Sequence, residues 1–411
     1  MELLQVDLMD EAQKKLSGFI RRLPARTKQV PLRDGAYTRL ATDVSAPEDV
    51  PLFHRSTVDG YAVVAADTYG ASESIPTFLK VVEEVSMGKA ATAKLKSGQC
   101  AYVPTGGMIP EGADAMVMVE YCEALEDGTV AVCQPSAVGR DIVCRGDDMK
   151  EGSIVLKAGT VLRPQEIAAL AALGIDTVEV EEPFRTALIS TGDELVPVDR
   201  KPEAGQIRES NSYSIKAQAE RAGMEVVSTA FYPDHEEELE AGIRQAMETC
   251  DFVFLSGGSS QGKKDMTARL FDRVSNGGVC THGLALKPGK PTILGWDETS
   301  RTILVGLPGH PSAASIVFEL LVARTLKLHR GQLYQPYVEA RTMYNIASAP
   351  GRGTCMPVIL HQEGEGLLAE PVLGRSGNWS ILVNADGYFL LDHNQEGIKA
   401  GETVRVYLFE R

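Results

Sequence analysis

Apolar residues fall at four-residue spacing in residues 7–22, at Ala12, Leu16 and Ile20, which predicts an amphipathic helix. Asp7 or Asp10 can cap it, and Pro24 ends it. From about residue 50 to 145 the period shortens to that of strands, at 62–64, 78–82 and 115–119, with Gly, Pro and Asp clusters between them. Residues 149–182 are mixed, with a helix over Gln165–Leu173 opened by Pro164 and stopped by Gly174. From about 183 strands and helices alternate. The predicted strands are Thr186–Ser190, Glu225–Phe231, Phe252–Leu255 and Ile303–Val305. The helices that follow them are Ser212–Ala222, Glu236–Thr249, Met266–Val274 and Ser312–Leu326. That alternation predicts a doubly wound parallel sheet. Beyond Leu328 short strands return, at Tyr337–Met343, Pro357–His361, Leu367–Val372, Tyr388–Leu391 and Thr403–Phe409, reading as a small β-barrel or sandwich.

The expected fold class is thus multidomain α/β plus β. A β domain (51–144) is inserted in a segment made of 1–50 and 145–182, followed by the α/β domain (183–329) and a C-terminal barrel (330–411). Ligands bind such parallel sheets at the C-terminal ends of the strands. Three glycine-rich turns are expected at that edge: Leu255–Asp265, Leu286–Thr292 and Gly306–Ser312. A strand that ends in glycine and opens a helix presents bare N–H groups, a geometry that binds phosphates and other anions.

Charge sharpens this reading. With 41 basic and 56 acidic residues the net charge is −15, which argues against nucleic acid and against an anionic membrane surface. An anionic ligand must then be drawn in by local groups. No apolar run approaches the ~20 residues of a membrane span, and the first residues lack a signal peptide's basic start and apolar core. Seven scattered cysteines without a C-x-x-C pair fit reduced thiols in a cytoplasmic protein.

Lys287-Pro-Gly-Lys290 holds two ammonium groups on a stiff turn, where they repel unless an anion sits between them; a solvated basic turn is the plainer alternative. Asp265 opens a helix and can either cap it or bind a metal. Ile189–Leu195 places Asp193 and Glu194 at a strand end, where adjacent carboxylates suit Mg²⁺ or merely form a turn. Asp234 follows the next strand, so Glu194, Asp234 and Asp265 would ring one cavity, at a repulsive cost unless a cation joins them. Ser56–Val63 contains an Asp-Gly that can be a plain hairpin turn, Val103–Asp114 is a rigid polar loop, and Gly139–Asp148 carries two arginines and three aspartates.

Together these segments resemble the MoeA / gephyrin E-domain family, the molybdopterin molybdenumtransferases, along essentially the whole chain. The resemblance is carried by Ser56–Val63, Pro104–Asp114, Gly146–Met149, Ser190–Leu195, Ser256–Asp265, Lys287–Pro291, Leu307–Pro311 and Gly374–Asp386. It implies an elongated homodimer of four-domain chains, with one domain similar to the molybdopterin adenylyltransferases and a contact with such an enzyme. It also implies the last step of molybdenum cofactor synthesis. Adenylylated molybdopterin and molybdate bind, the phosphoanhydride is cleaved with Mg²⁺ assisting, and AMP leaves. The implied catalytic residues are Lys287 and Lys290 near molybdate, with Glu194, Asp234 and Asp265 around nucleotide and metal. Implied substrate contacts are Gly192, Asp193, Ser256, Gly257, Gly258, Ser259, Pro308, Gly309 and Ser312. Asp59, Thr105 and Asp148 match positions reached from the second chain.

The chain departs from the family pattern at His310, where Asn is common, and at Ala313, Lys263, Ser380-Ile381 and Asn384-Ala385-Asp386. These departures surround the anion pocket. They leave open a tungstate-inserting paralogue and a noncatalytic scaffold that binds the pterin nucleotide.

Overall fold

The computed structural model of the chain describes residues 6–257, 264–332, 336–348 and 351–409, and of Lys264 and Asp265 the backbone alone. The chain divides into two compact units, Arg26–Glu181 and the remainder, Met1–Ala25 with Glu182–Arg411. The first helix, α1 (Met9–Ile20), belongs to the larger unit, whereas the expected grouping set it with residues 26–50.

Helix α1 buries Ala12, Leu16 and Ile20, as its spacing requires. Burial of one such Leu or Ile side chain stabilises by about 1.5–3 kcal/mol. Its partners lie far along the chain: Phe19 stacks on Trp296 at 5.1 Å, and Gln13 Nε2 donates to Leu320 O at 2.7 Å. Neither aspartate caps it. Leu8 sits at the cap position, and its N–H donates to Glu11 Oε2 at 2.9 Å. Asp7 is instead buried, accepting from Lys15 Nζ and from Thr281 Oγ1, each at 2.5 Å. A carboxylate that can reach an ammonium and a buried hydroxyl from a sheltered position gains more there than at an exposed cap.

The larger unit is built on a six-stranded sheet. Its strands are β1 (Phe184–Thr191), β2 (Met224–Tyr232), β3 (Phe252–Gly257), β4 (Val279–His282), β5 (Ile293–Asp297) and β6 (Thr302–Leu307), in the order β2-β1-β3-β6-β5-β4. The first four are parallel. Helices α2 (Asn211–Arg221), α3 (Glu236–Met247) and α4 (Lys264–Val274) follow the strands, and α5 (Pro311–Val317) continues through a π-helical turn to His329. Alternation along the strands feeds two cores: Leu188, Phe252, Phe254, Ile303 and Val305 on one face, Ala187, Ile189, Val253, Leu255 and Leu304 on the other. That is the signature of a sheet covered on both sides.

The sheet is not wholly parallel. β5 and β4 run antiparallel at one edge, with Ile293 paired to Gly306. The four residues between β5 and β6 are too few for a crossover helix, so the connection is a hairpin. Asp297 holds that hairpin: its carboxylate accepts from the N–H of Asn276 at 3.0 Å, the N–H of Ser300 at 2.7 Å and the Ser300 hydroxyl at 2.8 Å. Burial pushes this carboxyl up, but the donors outweigh it and hold it below the usual aspartate range. The folded-state value is depressed. Its stabilisation is therefore present above about pH 4 and lost as pH falls through the lower folded value. Asp297→Ala is expected to cost about 1–3 kcal/mol at neutral pH, and the deficit to shrink below about pH 4, as denaturant unfolding at both pH values would show.

The C-terminal strands β7 (Tyr337–Thr342), β8 (Gly353–Glu363), β9 (Gly366–Pro371), β10 (Gly387–Leu391) and β11 (Thr403–Leu408) run β8-β9-β7-β11-β10, and β10 pairs back to β8. The result is a closed five-stranded barrel filled by Val358, Ala369, Phe389, Leu391 and Val406. Leu286–Lys287 pairs in parallel with Gly353–Thr354 of β8. The middle glycine turn is thus fastened to the barrel, not to a parallel strand of the α/β sheet as expected. It still leads into β5, whose first residue, Ile293, faces the C-terminal end of β6.

The smaller unit holds a second six-stranded sheet, in the order Ala115–Met118, Gly60–Val63, Gln99–Val103, Thr77–Glu84, Thr129–Val132, Cys122–Ala124. Its helix Pro164–Ala172 is followed by Gly174 at φ +71°. The seven cysteines form no disulfide, and burial pushes Cys100 and Cys122 up to about 12. Among the described residues no helix is long and apolar enough to cross a membrane.

Candidate functional site

The strand ends of the larger unit open on a cavity of about 980 Å³ between the α/β sheet and the barrel. At the end of β1, Gly192 and Glu194 line it. A Cβ on Gly192 would come within 2.9 Å of Glu194 Oε1, so glycine is what lets the Glu194 carboxylate fold back over the strand end. Asp234 lines the cavity beyond β2 and accepts from Thr191 Oγ1 at 2.7 Å. Asp193 does not line it. Its carboxylate accepts the Asp234 N–H at 3.0 Å and so orients the neighbouring acid.

At the end of β3, Gly257 lines the cavity at φ +120°. Ser256 behind it is buried and accepts from Asn211 Nδ2 at 2.7 Å, while the same amide donates to Gly309 O at 2.9 Å. Asn211, the first residue of α2, thereby ties the first glycine turn to the third. It was hidden in the sequence because only the pairing of β1, β3 and β6 brings the two turns within reach. Gly258, Ser259 and the Lys263 departure lie outside the described residues, as does the side chain of Asp265.

Both lysines of the middle turn line the cavity, Lys287 exposed and Lys290 half-buried. Neither ammonium meets a carboxylate among the described residues. Gly289 between them has φ +129°, and a Cβ there would strike Val317 Cγ2 at 2.6 Å. The third turn contributes Pro308, Gly309, His310, Ser312 and Ala313. Ser312 is 1% exposed, and its hydroxyl donates to the barrel's Ser376 O at 2.8 Å, so that proton is already committed within the protein.

The barrel adds Arg352, Thr354 and Cys355 from β8 and its approach, and Leu373–Gly374, Ser376–Gly377 and Ile381 from the connection after β9. Arg352 is a third cation that the sequence reading missed. It reaches the site through the pairing of Leu286–Lys287 with Gly353–Thr354. A chain of net charge −15 therefore concentrates three cations in one cavity, the arrangement needed to draw an anion against the global field.

Among the described residues no group of three His, Cys, Asp or Glu side chains is arranged to hold a metal. Glu194 and Asp234 nonetheless offer hard carboxylate oxygens to the same cavity. Mg²⁺ is commonly held by one or two carboxylates plus substrate phosphates and water, so this donor set fits it. Asp59, Thr105 and Asp148 lie in the smaller unit, where Asp59 Oδ1 accepts the Thr105 N–H at 2.8 Å.

Three family models match successive parts of the chain: "MoeA N-terminal region (domain I and II)" over residues 8–174, "Probable molybdopterin binding domain" over 187–328, and "MoeA C-terminal region (domain IV)" over 339–409. The chain belongs to the MoeA family. It is 31% identical over 406 residues to the molybdopterin molybdenumtransferase of Haemophilus influenzae, covering 98% of each chain. To that of Bacillus subtilis it is 31% identical over 415 residues, covering 97% and 93%. It superposes on the molybdopterin biosynthesis MoeA protein of Pyrococcus horikoshii OT3 with a TM-score of 0.83 and 31% identity, covering 98% and 100%. In this MoeA chain the three glycine turns all fall within the central matched region, and Arg352 and Ser376 within the C-terminal one.

Proposed function

We propose that the chain is a molybdopterin molybdenumtransferase, which takes adenylylated molybdopterin and molybdate and releases AMP as molybdenum is transferred to the pterin's two sulfurs. One observation carries this reading: a single cavity joins a lysine pair that meets no carboxylate among the described residues to two hard carboxylates at the ends of parallel strands. Molybdate is a tetrahedral dianion, and Lys287 and Lys290 together balance its charge. The nucleotide phosphates lie over the strand ends beside Gly192, Gly257 and Pro308–Gly309, which line the cavity, and beside Ser256, Gly258 and Ser259 as the family resemblance implies. Asp193 and Ser312 contribute by holding Asp234 and the third turn in place. Glu194, Asp234 and Asp265 would hold Mg²⁺, which neutralises charge on the leaving phosphate when bound.

The chain works as a homodimer in which Asp59, Thr105 and Asp148 of one copy complete the site of the other, and a molybdopterin adenylyltransferase supplies the adenylylated pterin. The cytoplasm is where such an exchange would run. The test is AMP release from adenylylated molybdopterin with Mg²⁺ and either molybdate or tungstate. AMP release that requires molybdate is the expected result. Release driven only by tungstate would reassign the oxyanion. Absence of oxyanion-dependent AMP would overturn the enzyme and leave a pterin-nucleotide scaffold. The same preparation should sediment as a dimer; a monomer would contradict the shared site.

A further inference from the structure

The connection from β9 to β10 leaves the barrel and crosses to the α/β sheet as a strap, Leu373–Ile381. It is fastened at two places. Trp379 Nε1 donates to Ser210 Oγ at 3.0 Å. Ser376 is held by the third glycine turn: its carbonyl accepts from the Ser312 N–H at 3.2 Å and the Ser312 hydroxyl at 2.8 Å. The Ser376 hydroxyl lies 2.7 Å from His310 Nδ1. Leu373, Gly374, Ser376 and Gly377 of this strap face the cavity that also contains both lysines. Glycines on either side of Arg375-Ser376 leave the corner few side chains with which to hold itself.

We propose that His310 is a positioning residue for the oxyanion: its grip on Ser376 fixes the strap as a wall of the cavity that holds Lys287 and Lys290. The proposal rests on the transferase reading above. When a binding-competent arrangement is only partly populated, apparent affinity falls by that fraction. One hydrogen bond of ordinary net strength biases such an equilibrium about 3–10-fold. Losing the grip therefore raises KM for molybdate by that factor. kcat is retained, because saturating oxyanion selects the competent wall. Asn at position 310 preserves the grip, since its amide can occupy the place of Nδ1.

The experiment uses the full-length chain as wild type, His310→Phe, His310→Asn, Ser376→Ala and the double variant His310→Phe/Ser376→Ala. His310→Phe and Ser376→Ala should each raise KM for molybdate about 3–10-fold, with kcat within about twofold and no further loss in the double variant. His310→Asn should stay within about twofold of wild type. Hydrogen exchange provides a readout that needs no turnover: the Ser312 amide should exchange about 3–10-fold faster in His310→Phe and at the wild-type rate in His310→Asn. Equal impairment of the Phe and Asn variants, additive losses in the double variant, a fall in kcat at constant KM, or unchanged Ser312 exchange would each overturn the assignment. If the wild type shows no oxyanion-dependent AMP, the transferase reading fails, and exchange alone decides the clasp.

Discussion

Lys287→Ala lowers molybdate-dependent AMP release about 100-fold in kcat/KM for molybdate, while affinity for adenylylated molybdopterin stays within about threefold. The magnitude follows from removing one preorganised charge from a site that stabilises developing negative charge, which typically costs a factor of 10²–10³. A hundredfold loss corresponds to about 2.7 kcal/mol. Lys287 is exposed in the cavity and pairs with no carboxylate among the described residues, so its removal strands none of them and the fold is retained. Lys290 remains on the same turn and prevents a complete loss. Lys287→Arg should recover only part of the activity, because a planar guanidinium presents its charge differently from a compact ammonium. Steady-state AMP release against molybdate concentration, beside an equilibrium titration with the pterin nucleotide, checks the prediction. Equal losses in both would place Lys287 on the pterin.

Gly257→Ala destabilises the larger unit by about 3 kcal/mol or more. Gly257 ends β3 opposite Thr191 of β1, and a Cβ there would stand 2.0 Å from the Thr191 carbonyl oxygen. Its φ of +120° adds backbone strain for any L side chain. Neither central strand can retreat, since β1 is paired on its other side to β2 and β3 to β6. Thermal unfolding should fall by about 6–12 °C, at about 2–4 °C per kcal/mol for a unit of this size. Gly18→Ala is the matched control. Gly18 lies in α1 with nothing within 4 Å of an added Cβ, so the change should stabilise by about 0.5–1 kcal/mol. A loss under about 1 kcal/mol at Gly257 would mean the strand ends relax more readily than this pairing allows.

Local pattern revealed the parallel strands most plainly where they are short apolar runs ending in a turn residue, as in Phe252–Leu255; Met224–Tyr232, with Glu225, Ser228 and Thr229, was marked instead by its place between two helical segments. It also revealed the barrel strands and the cavity-lining acids at strand ends, Glu194 and Asp234, since their place depends only on where a strand stops; the two lysines were marked by their own turn, Lys287-Pro-Gly-Lys290. β4 and β5 escaped notice for physical reasons. Val279–His282 is short and half polar, and Ile293–Asp297 is interrupted by Gly295, which removes the side chain that would mark the alternation. Asp7 misled because its partner, Thr281, lies 274 residues away in sequence. Arg352, Asn211 and the hold of His310 on Ser376 share that obstacle. Each joins the site through a pairing between distant segments, and no spacing along the chain encodes such a contact.

The long reach of α1 also bears on how the chain is made. Its apolar face finds its partners only when Trp296 and Leu320 exist, about 280–300 residues after the helix itself has left the ribosome. At synthesis rates of about 5–20 residues per second that delay is about 15–60 s. Meanwhile Arg26–Glu181 is complete, with Thr27 and Glu181 already side by side in an antiparallel pair. The smaller unit can close upon itself first. The helix remains a tethered amphipathic segment until those later residues are made.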